Sequence, residues 1–212
     1  MTRSDIIRLF SKNSEEMNKR SSQILYVISG PNGAGKTTCA FSIMPELINC
    51  YEYVNADAIA AGLSPFRPLE VSIEAGRLML KRIRDLAESG VTFAIETTLS
   101  SKSFAPFLAQ CKSRGYSIRL IYVWVNSVEL AVERVKRRVE SGGHLVPEHI
   151  IRRRYSRSLF NFFQLYSSLA DIWSFYDNSL DKIELVAEKS LDGKIDVLNR
   201  PIWEKITSDS RP

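Results

Sequence analysis

The chain has 212 residues, of which 44% are hydrophobic and 25% are charged, a composition that excludes collagen-like, disordered and small disulfide-stapled proteins. At about 150 residues per domain, this length favours a single domain. Lys and Arg (29) exceed Asp and Glu (24) to leave a net charge of +5, which suits a polyanionic partner without selecting among nucleotide, nucleic acid and membrane phosphate.

The N-terminal segment, residues 1–22, is predicted to form a helix that precedes the main fold. Ile6, Ile7 and Phe10 recur among charged residues at roughly helical spacing. This segment has no apolar signal-peptide core, and the longest apolar run, 120–125, is too short to span a membrane. We therefore expect a cytoplasmic protein with no membrane partner.

The three cysteines indicate neither a disulfide framework nor a zinc site. Cys39, Cys50 and Cys111 are odd in number and lack the close pairing with other Cys or His residues that metal sites use. This pattern agrees with a reducing compartment.

From residue 23 onward, β-rich apolar runs alternate with segments of helical period. The predicted strands cover 23–29, 51–55, 91–97, 117–125 and 172–176. The predicted helices cover 37–48, 58–61, 69–87, 103–112, 128–140 and 148–169. Because parallel strands need helical crossovers, this order predicts an α/β fold, a three-layer sandwich with a mostly parallel sheet.

The last part of the chain, 181–212, is predicted to add an antiparallel hairpin and a helix packed on the same domain. Segments 182–189 and 194–199 have strand character and flank the pair Asp192-Gly193. Asp-Gly is a favoured hairpin turn, so we expect this hairpin at the edge of the sheet.

A glycine-rich motif between the first strand and the next helix is the strongest functional signal. Residues 30–37 fit the pattern G-x-x-x-x-G-K-[ST] of P-loop NTPases. Its glycines let successive N–H groups face an anion, and the helix N-terminus adds positive partial charge. Lys36 is expected to contact the β- and γ-phosphates of ATP, and Thr37 to coordinate Mg²⁺. The predicted nucleotide-binding residues are Gly30, Pro31, Asn32, Gly33, Ala34, Gly35, Lys36, Thr37 and Thr38.

The phosphate loop also resembles that of ABC-type ATPases, but other features argue against that class. The segment 140–144, Glu-Ser-Gly-Gly-His, lacks the leucine and glutamine of an ABC signature, and no Asp-Glu strand end follows it. The chain also has no Asn-Lys-x-Asp motif, which excludes the guanine-specific GTPases.

Asp57 is the first candidate catalytic acid. It follows the second predicted strand and should lie at the carboxyl edge of the sheet, where the phosphate loop also lies. A kinase needs a group that accepts the proton of its acceptor hydroxyl, and this position favours that role. The alternative is that Asp57 is the N-cap of the short helix 58–61.

Glu96, Thr97 and Thr98 end the third predicted strand at the same edge. Their carboxylate and hydroxyls suit a polyhydroxyl substrate, or Mg²⁺ through water. Thr98, Ser100 and Ser101 could equally cap the helix that starts near Ser103.

Two basic helices joined by a glycine tip are interpreted as a lid over about 134–157. In the first helix, Arg138 lies about 60° from the apolar stripe at Val135 and can lean inward. In the second, Arg152 and Arg154 lie on the flanks of the stripe. Lid arginines would stabilise the charge that shifts during phosphoryl transfer, although basic runs are more often solvated faces. The basic residues are Arg134, Lys136, Arg137, Arg138, Arg152, Arg153, Arg154 and Arg157.

Together these motifs resemble the zeta-toxin-like P-loop kinases, over about residues 23–179. The resemblance is carried by the phosphate loop, by Asn-Ala-Asp at 55–57, by Glu-Thr-Thr-Leu-Ser at 96–100, and by the lid sequence Arg-Val-Glu-Ser-Gly-Gly-His-Leu-Val-Pro at 138–147 with Arg-Arg-Arg-Tyr at 152–155. The Gly-Gly-His tip is typical of a branch described as predicted ATPases or toxins.

The resemblance implies a P-loop kinase domain over 23–180 and assigns roles within it. Lys36 would bind ATP phosphates, Asp57 would be the catalytic base, Glu96 would bind substrate, and Arg138 with Arg154 would contact phosphates. Family members phosphorylate a hydroxyl of a UDP-linked N-acetylamino sugar, often under the control of an antitoxin protein. The resemblance thus implies ATP and Mg²⁺ as cofactors, a nucleotide sugar as acceptor and an antitoxin as partner.

Two rival functions stay open on the sequence alone. The basic lid, together with the aromatic residues Phe160, Phe162 and Phe163, would also suit a polynucleotide 5′-hydroxyl kinase, which we favour less than a small-molecule kinase. The alternative is that these three aromatic residues belong to the core. A nucleotide-gated binding module that hydrolyses ATP slowly is the second rival.

Overall fold

The structure is a computed structural model that describes residues 23–43, 50–143 and 145–209. The predicted N-terminal helix, the end of the predicted helix 37–48 and His144 of the Gly-Gly-His tip lie outside these residues. No helix within the described ranges is long and apolar enough to cross a membrane.

Strands and helices alternate along the chain, as the sequence predicts. The strands are β1 (Ile24–Ser29), β2 (Glu52–Val54), β3 (Phe93–Thr97), β4 (Ser117–Trp124), β5 (Ile172–Asp177), β6 (Glu184–Lys189) and β7 (Ile195–Val197). The helices are α1 (Lys36–Ile43), α2 (Ala56–Leu63), α3 (Ser72–Ser89), α4 (Ala105–Ser113), α5 (Val128–Glu140), α6 (Glu148–Asn161), α7 (Ser167–Leu169) and α8 (Arg200–Asp209), with a π-helical turn, Phe162–Tyr166, between α6 and α7.

The described strands form one sheet of seven strands in the order β2-β3-β1-β4-β5-β6-β7. The first five strands in this order are parallel, while β6 pairs antiparallel with β5, and β7 with β6. The α/β fold with a mostly parallel sheet and a C-terminal antiparallel hairpin is therefore confirmed. The carboxyl ends of the parallel strands meet at one edge, which is where such sheets bind ligands.

Helices cover both faces of the sheet and create two hydrophobic cores. One core packs α3, α4, the π-helical turn and α8 against the sheet, and the other packs α1 and α5 against the opposite face. Helix α6 contributes to both, through Leu159 in the first core and Ile151 in the second. This is the predicted three-layer arrangement.

The three cysteines are buried free thiols. Burial raises the pKa of Cys39 to about 12, and those of Cys50 and Cys111 to about 11. These thiols are therefore protonated at neutral pH and have a packing role.

The predicted helix 148–169 is interrupted by the π-helical turn, which the hydrophobic period does not reveal. Within it, Phe162 and Tyr166 are fully buried. Residues five apart in an α-helix point about 140° away from each other, whereas here Asn161 and Tyr166 both reach the segment after β3. Asn161 Nδ2 donates to the carbonyl oxygen of Leu99 at 2.8 Å, and the Tyr166 hydroxyl donates to that of Ser101. The wider turn thus lets one helix bind two points of that segment.

Replacing Asn161 with alanine should lower the free energy of unfolding by about 2 kcal/mol, because it leaves the buried Leu99 carbonyl unsatisfied. Leu99 has a φ of 52°, which a leucine holds only where its surroundings impose it. Urea unfolding measures the change. The exposed Asn126, replaced with alanine, is the control and should stay within about 0.5 kcal/mol of the parental protein. Equal midpoints for the two variants would contradict this role.

Candidate functional site

The loop between β1 and α1 has the backbone shape of an anion-binding site. Its three glycines all have positive φ, with values of 136°, 78° and 90° for Gly30, Gly33 and Gly35. Helix α1 begins directly afterwards at Lys36, so its free N–H groups and the positive end of its dipole face the same space. The backbone of this loop is therefore arranged to bind phosphate.

Two neighbouring segments pack tightly against the loop. A Cβ atom on Gly33 would lie 2.4 Å from the carbonyl oxygen of Ala131 in α5, and one on Gly35 would lie 2.5 Å from Nδ2 of Asn178. The Asn178 amide also donates a hydrogen bond of 2.8 Å to the carbonyl oxygen of Ala34. Close packing against the backbone of α5 requires glycine at position 33, and a φ of 90° favours glycine at position 35.

Lys36 is buried beside the loop. Its Nζ donates a hydrogen bond of 2.9 Å to the carbonyl oxygen of Pro31 and lies 4.0 Å from Oε1 of Glu96. Burial lowers the pKa of Lys36, and the carboxylates of Glu96 and Asp57 oppose that shift. A phosphate oxygen beside Nζ would supply the negative charge that compensates for burying this ammonium.

The carboxylate of Glu96, near the end of β3, is held by three donors on one oxygen. Oε2 accepts hydrogen bonds from Thr37 Oγ1 at 2.8 Å and from Asn55 Nδ2 at 2.9 Å, and a short one from the Tyr53 hydroxyl. The other oxygen, Oε1, is the nearer one to Lys36. Glu96 therefore lies against the phosphate loop, in contact with the hydroxyl predicted to bind Mg²⁺.

Asp57 lies in the first turn of α2, exposed and facing the same site. The N-cap of this helix is Asn55, whose Oδ1 accepts hydrogen bonds from the N–H groups of Asp57 and the next residue. The alternative in which Asp57 is the cap is therefore wrong. Burial lowers the pKa of Lys36 and of Arg154, and the nearby charge of Asp57 opposes the shift in both.

These groups line one cleft of about 660 Å³, a size common for ligand-binding sites. Its lining residues come from the phosphate loop and the start of α1, from Asn55 and the start of α2, from the end of β3, and from α5 and the segment after β5. They are Asn32, Gly33, Gly35, Lys36, Thr37, Thr38, Asn55, Asp57, Ala58, Glu96, Arg134, Val135, Arg138 and Asn178. Gly30, Pro31 and Ala34 shape the loop without lining the cleft.

Two of the predicted arginines lie at this cleft. Arg138 is one of its lining residues, and Nη1 of Arg154 donates a long hydrogen bond of 3.4 Å to Oδ1 of Asn32 in the loop. Arg152 instead makes exposed ion pairs with Glu129 and Glu148. The placement of Arg138 and Arg154 is compatible with phosphate contacts, which stay a prediction.

The predicted acceptor-binding residues separate in the structure, and only Glu96 lines the cleft. Thr97 Oγ1 accepts a hydrogen bond from the Leu99 N–H at 3.2 Å, and Thr98 Oγ1 lies 2.9 Å from Ser100 Oγ. These two hydroxyls shape the turn after β3.

Two further residues line the cleft: Arg134, which the sequence identifies only as one of the basic residues of the lid, and Asn178, which it does not identify. Arg134 donates hydrogen bonds to the carbonyl oxygens of Asn178 and Ser179 at 2.7 and 3.3 Å, which ties α5 to the segment after β5. No local pattern marks Asn178, because its position follows from the pairing of β5 with β4. The basic character of α5 is the one signal that points to Arg134.

The donor set at Thr37 fits Mg²⁺ bound together with a nucleotide. Among the described residues, no cluster of three or more His, Cys, Asp or Glu could hold a metal ion by itself. Mg²⁺ usually takes one or two protein oxygens, several waters and the phosphate oxygens of its substrate. The Thr37 hydroxyl, hydrogen-bonded to the Glu96 carboxylate at the phosphate loop, matches that mode.

Comparison with known proteins agrees with this geometry. The model of the AAA domain family matches residues 25–158. An uncharacterised protein of Haemophilus influenzae is 32% identical over 126 residues, which cover 59% of this chain and 88% of that protein.

Two solved structures share the fold over nearly the whole chain. The crystal structure of AvrRxo1-ORF1:-ORF2 with ATP has a TM-score of 0.73 at 18% identity. The match covers 99% of this chain and 70% of the matched chain. A structure of the PezAT chromosomal toxin-antitoxin system of Streptococcus pneumoniae has a TM-score of 0.57 at 16% identity. The match covers 99% of this chain and 96% of the PezAT chain.

Proposed function

The chain belongs to the AAA domain family, and from this membership and the geometry of its cleft we propose that it is an ATP-dependent kinase. It transfers the γ-phosphate of ATP to a hydroxyl group of a small molecule. The observation that carries this proposal is the position of Asp57, an exposed carboxylate in the same cleft as the buried ammonium of Lys36.

The nucleotide is held through its phosphates. The backbone N–H groups of the loop and of α1 bind the phosphate oxygens, and Lys36 adds a point charge at the β- and γ-phosphates. Arg138, which lines the cleft, and Arg154, which contacts Asn32 of the loop, supply positive charge for the leaving group. Thr37 holds Mg²⁺, which neutralises the phosphate oxygens when bound.

Asp57 acts on the acceptor. Its carboxylate accepts the proton of the acceptor hydroxyl as the hydroxyl oxygen forms a bond to the γ-phosphorus. The bond from that phosphorus to the β–γ bridging oxygen breaks, and ADP leaves with the bonding electron pair. The products are ADP and a phosphate monoester, and the abstracted proton passes from Asp57 to solvent.

A nucleotide sugar, a UDP-linked N-acetylamino sugar, is the acceptor that we propose, with an antitoxin protein as the regulatory partner. Two observations support this choice: the motifs shared with the zeta-toxin-like kinases, and the likeness of the fold to a structure of a toxin-antitoxin system.

Incubation with γ-labelled ATP and a panel of nucleotide sugars, nucleosides and 5′-hydroxyl oligonucleotides tests the proposal. We expect the label on a nucleotide sugar, and its loss in the Lys36→Met variant, which lacks the charge at the phosphates. Label on the oligonucleotide would instead identify a polynucleotide kinase. Label released only as inorganic phosphate would support a nucleotide-gated module and contradict a kinase.

A further inference from the structure

We propose that Tyr53 and Asn55 are positioning residues, which hold the Glu96 carboxylate against the Thr37 hydroxyl so that Glu96 serves Mg²⁺·ATP binding and not the acceptor. This inference rests on the proposed function and deepens it. It divides the work between the two carboxylates of the cleft, with Asp57 at the acceptor and Glu96 at the metal.

The hydrogen bonds of Glu96 hold its carboxylate at the Thr37 hydroxyl and occupy one of its two oxygens. Three donors occupy Oε2, namely the Thr37 hydroxyl, the Tyr53 hydroxyl and the Asn55 amide. A carboxylate oxygen has about two lone-pair sites, so Oε2 has no capacity left for an acceptor hydroxyl. The other oxygen, Oε1, lies 4.0 Å from Nζ of Lys36, the ammonium proposed to contact the phosphates.

The Tyr53 side chain is oriented so that its hydroxyl donates to Glu96. Its ring packs edge-on against that of Phe41, with centroids 5.8 Å apart, which orients the hydroxyl. Its hydroxyl donates to Oε2 of Glu96 and accepts a hydrogen bond of 3.2 Å from Nδ2 of Asn55.

Asn55 connects both carboxylates through one side chain. Its Oδ1 caps α2, the helix that carries Asp57, while its Nδ2 donates to Glu96. The side chain therefore fixes the spacing between the proposed base and the carboxylate beside the phosphate loop.

The hydrogen bond from Thr37 to Glu96 explains how Tyr53 and Asn55 can affect Mg²⁺ affinity without contacting the nucleotide. When Thr37 donates its hydrogen to Glu96, its oxygen lone pairs are free to face a cation. Partners that orient a metal ligand typically change metal affinity 10- to 100-fold when they are removed. Loss of the Tyr53 hydroxyl would free Glu96 to rotate away from Thr37.

The test is the Tyr53→Phe variant, with Tyr51→Phe as the matched control. Tyr51 precedes the same strand and is 75% exposed. A fluorescent ATP analogue reports the Mg²⁺ concentration at half-maximal nucleotide binding, and its affinity in EDTA reports binding without metal. We expect Tyr53→Phe to raise the half-maximal Mg²⁺ concentration about tenfold and to leave the affinity in EDTA unchanged.

Asn55→Asp is the second variant. Aspartate keeps the oxygen that caps α2 but replaces the donor to Glu96 with a second negative charge, so we expect a larger rise than for Tyr53→Phe. Thermal unfolding confirms that both variants are folded.

Three outcomes would overturn the inference. They are an unchanged or lower half-maximal Mg²⁺ concentration in Tyr53→Phe, an equal shift in Tyr51→Phe, and a loss of affinity in EDTA that accounts for the whole effect. A parental protein that binds no nucleotide would refute both proposals. A parental protein that binds Mg²⁺·ATP but labels no acceptor would refute the kinase function alone, because the binding measurement still tests Tyr53.

Discussion

Replacing Asp57 with asparagine should lower the rate of phosphoryl transfer about 10³-fold, the loss expected when a general base is removed. Asparagine has nearly the same shape but cannot accept the proton of the acceptor hydroxyl. ATP affinity should stay the same or increase slightly, because the variant removes a negative charge from the vicinity of Lys36 and Arg154. Single-turnover transfer and equilibrium ATP binding, measured separately, distinguish the two effects.

Asp85→Asn is the control for this variant. Asp85 is exposed in α3 and does not line the cleft, so the same loss of charge there should leave transfer unchanged. Transfer at the parental rate in Asp57→Asn would refute the assignment of the base. A parallel loss of ATP affinity would show that Asp57 has a structural role at the nucleotide.

Replacing Gly30 with alanine should reduce the free energy of unfolding by about 4 kcal/mol, through backbone strain and overpacking combined. Gly30 has a φ of 136°, and a Cβ atom there would lie 1.9 Å from the carbonyl oxygen of Val123. Val123 is a fully buried residue of β4, which is paired with β1 along its length. Neither strand can move away from the added Cβ atom without breaking the hydrogen bonds between β1 and β4. Guanidinium unfolding measures the change.

Gly76→Ala is the opposite case and serves as the control. Gly76 lies within α3, and a Cβ atom there would meet nothing within 4 Å. Alanine has the higher helix propensity, so this variant should gain about 0.5–1 kcal/mol. Equal unfolding midpoints for the parental protein and Gly30→Ala would show that the phosphate loop can rearrange.

The sequence predicted those parts of the fold that depend on local pattern. The alternation of strands and helices and the motif at 30–37 are local, and both are found where they were expected. The cap of α2 was not predicted, because Asn55 and Asp57 are both good capping residues and the choice between them depends on where β2 ends. Helix α3 begins at Ser72 and not at residue 69, since the four residues before it, 68–71, form turns.

The finer structure of the cleft depends on contacts between distant segments. Glu96 meets Thr37 across 59 residues of sequence, and Asn178 meets Ala34 across 144. Local pattern could place Glu96 at the correct edge of the sheet but could not show which of its two oxygens is occupied. It contained no signal for Asn178 or for the π-helical turn.

The contact between Gly33 and Ala131 also limits how the acceptor range of the proposed kinase could be re-engineered. With α5 so close to the phosphate loop, its first two turns belong to the ATP-binding half of the molecule. A lid segment transplanted from a known P-loop kinase would therefore have to join after Val135. A junction before Ala131 would bring a foreign side chain onto the loop and disturb the nucleotide before any new acceptor was selected.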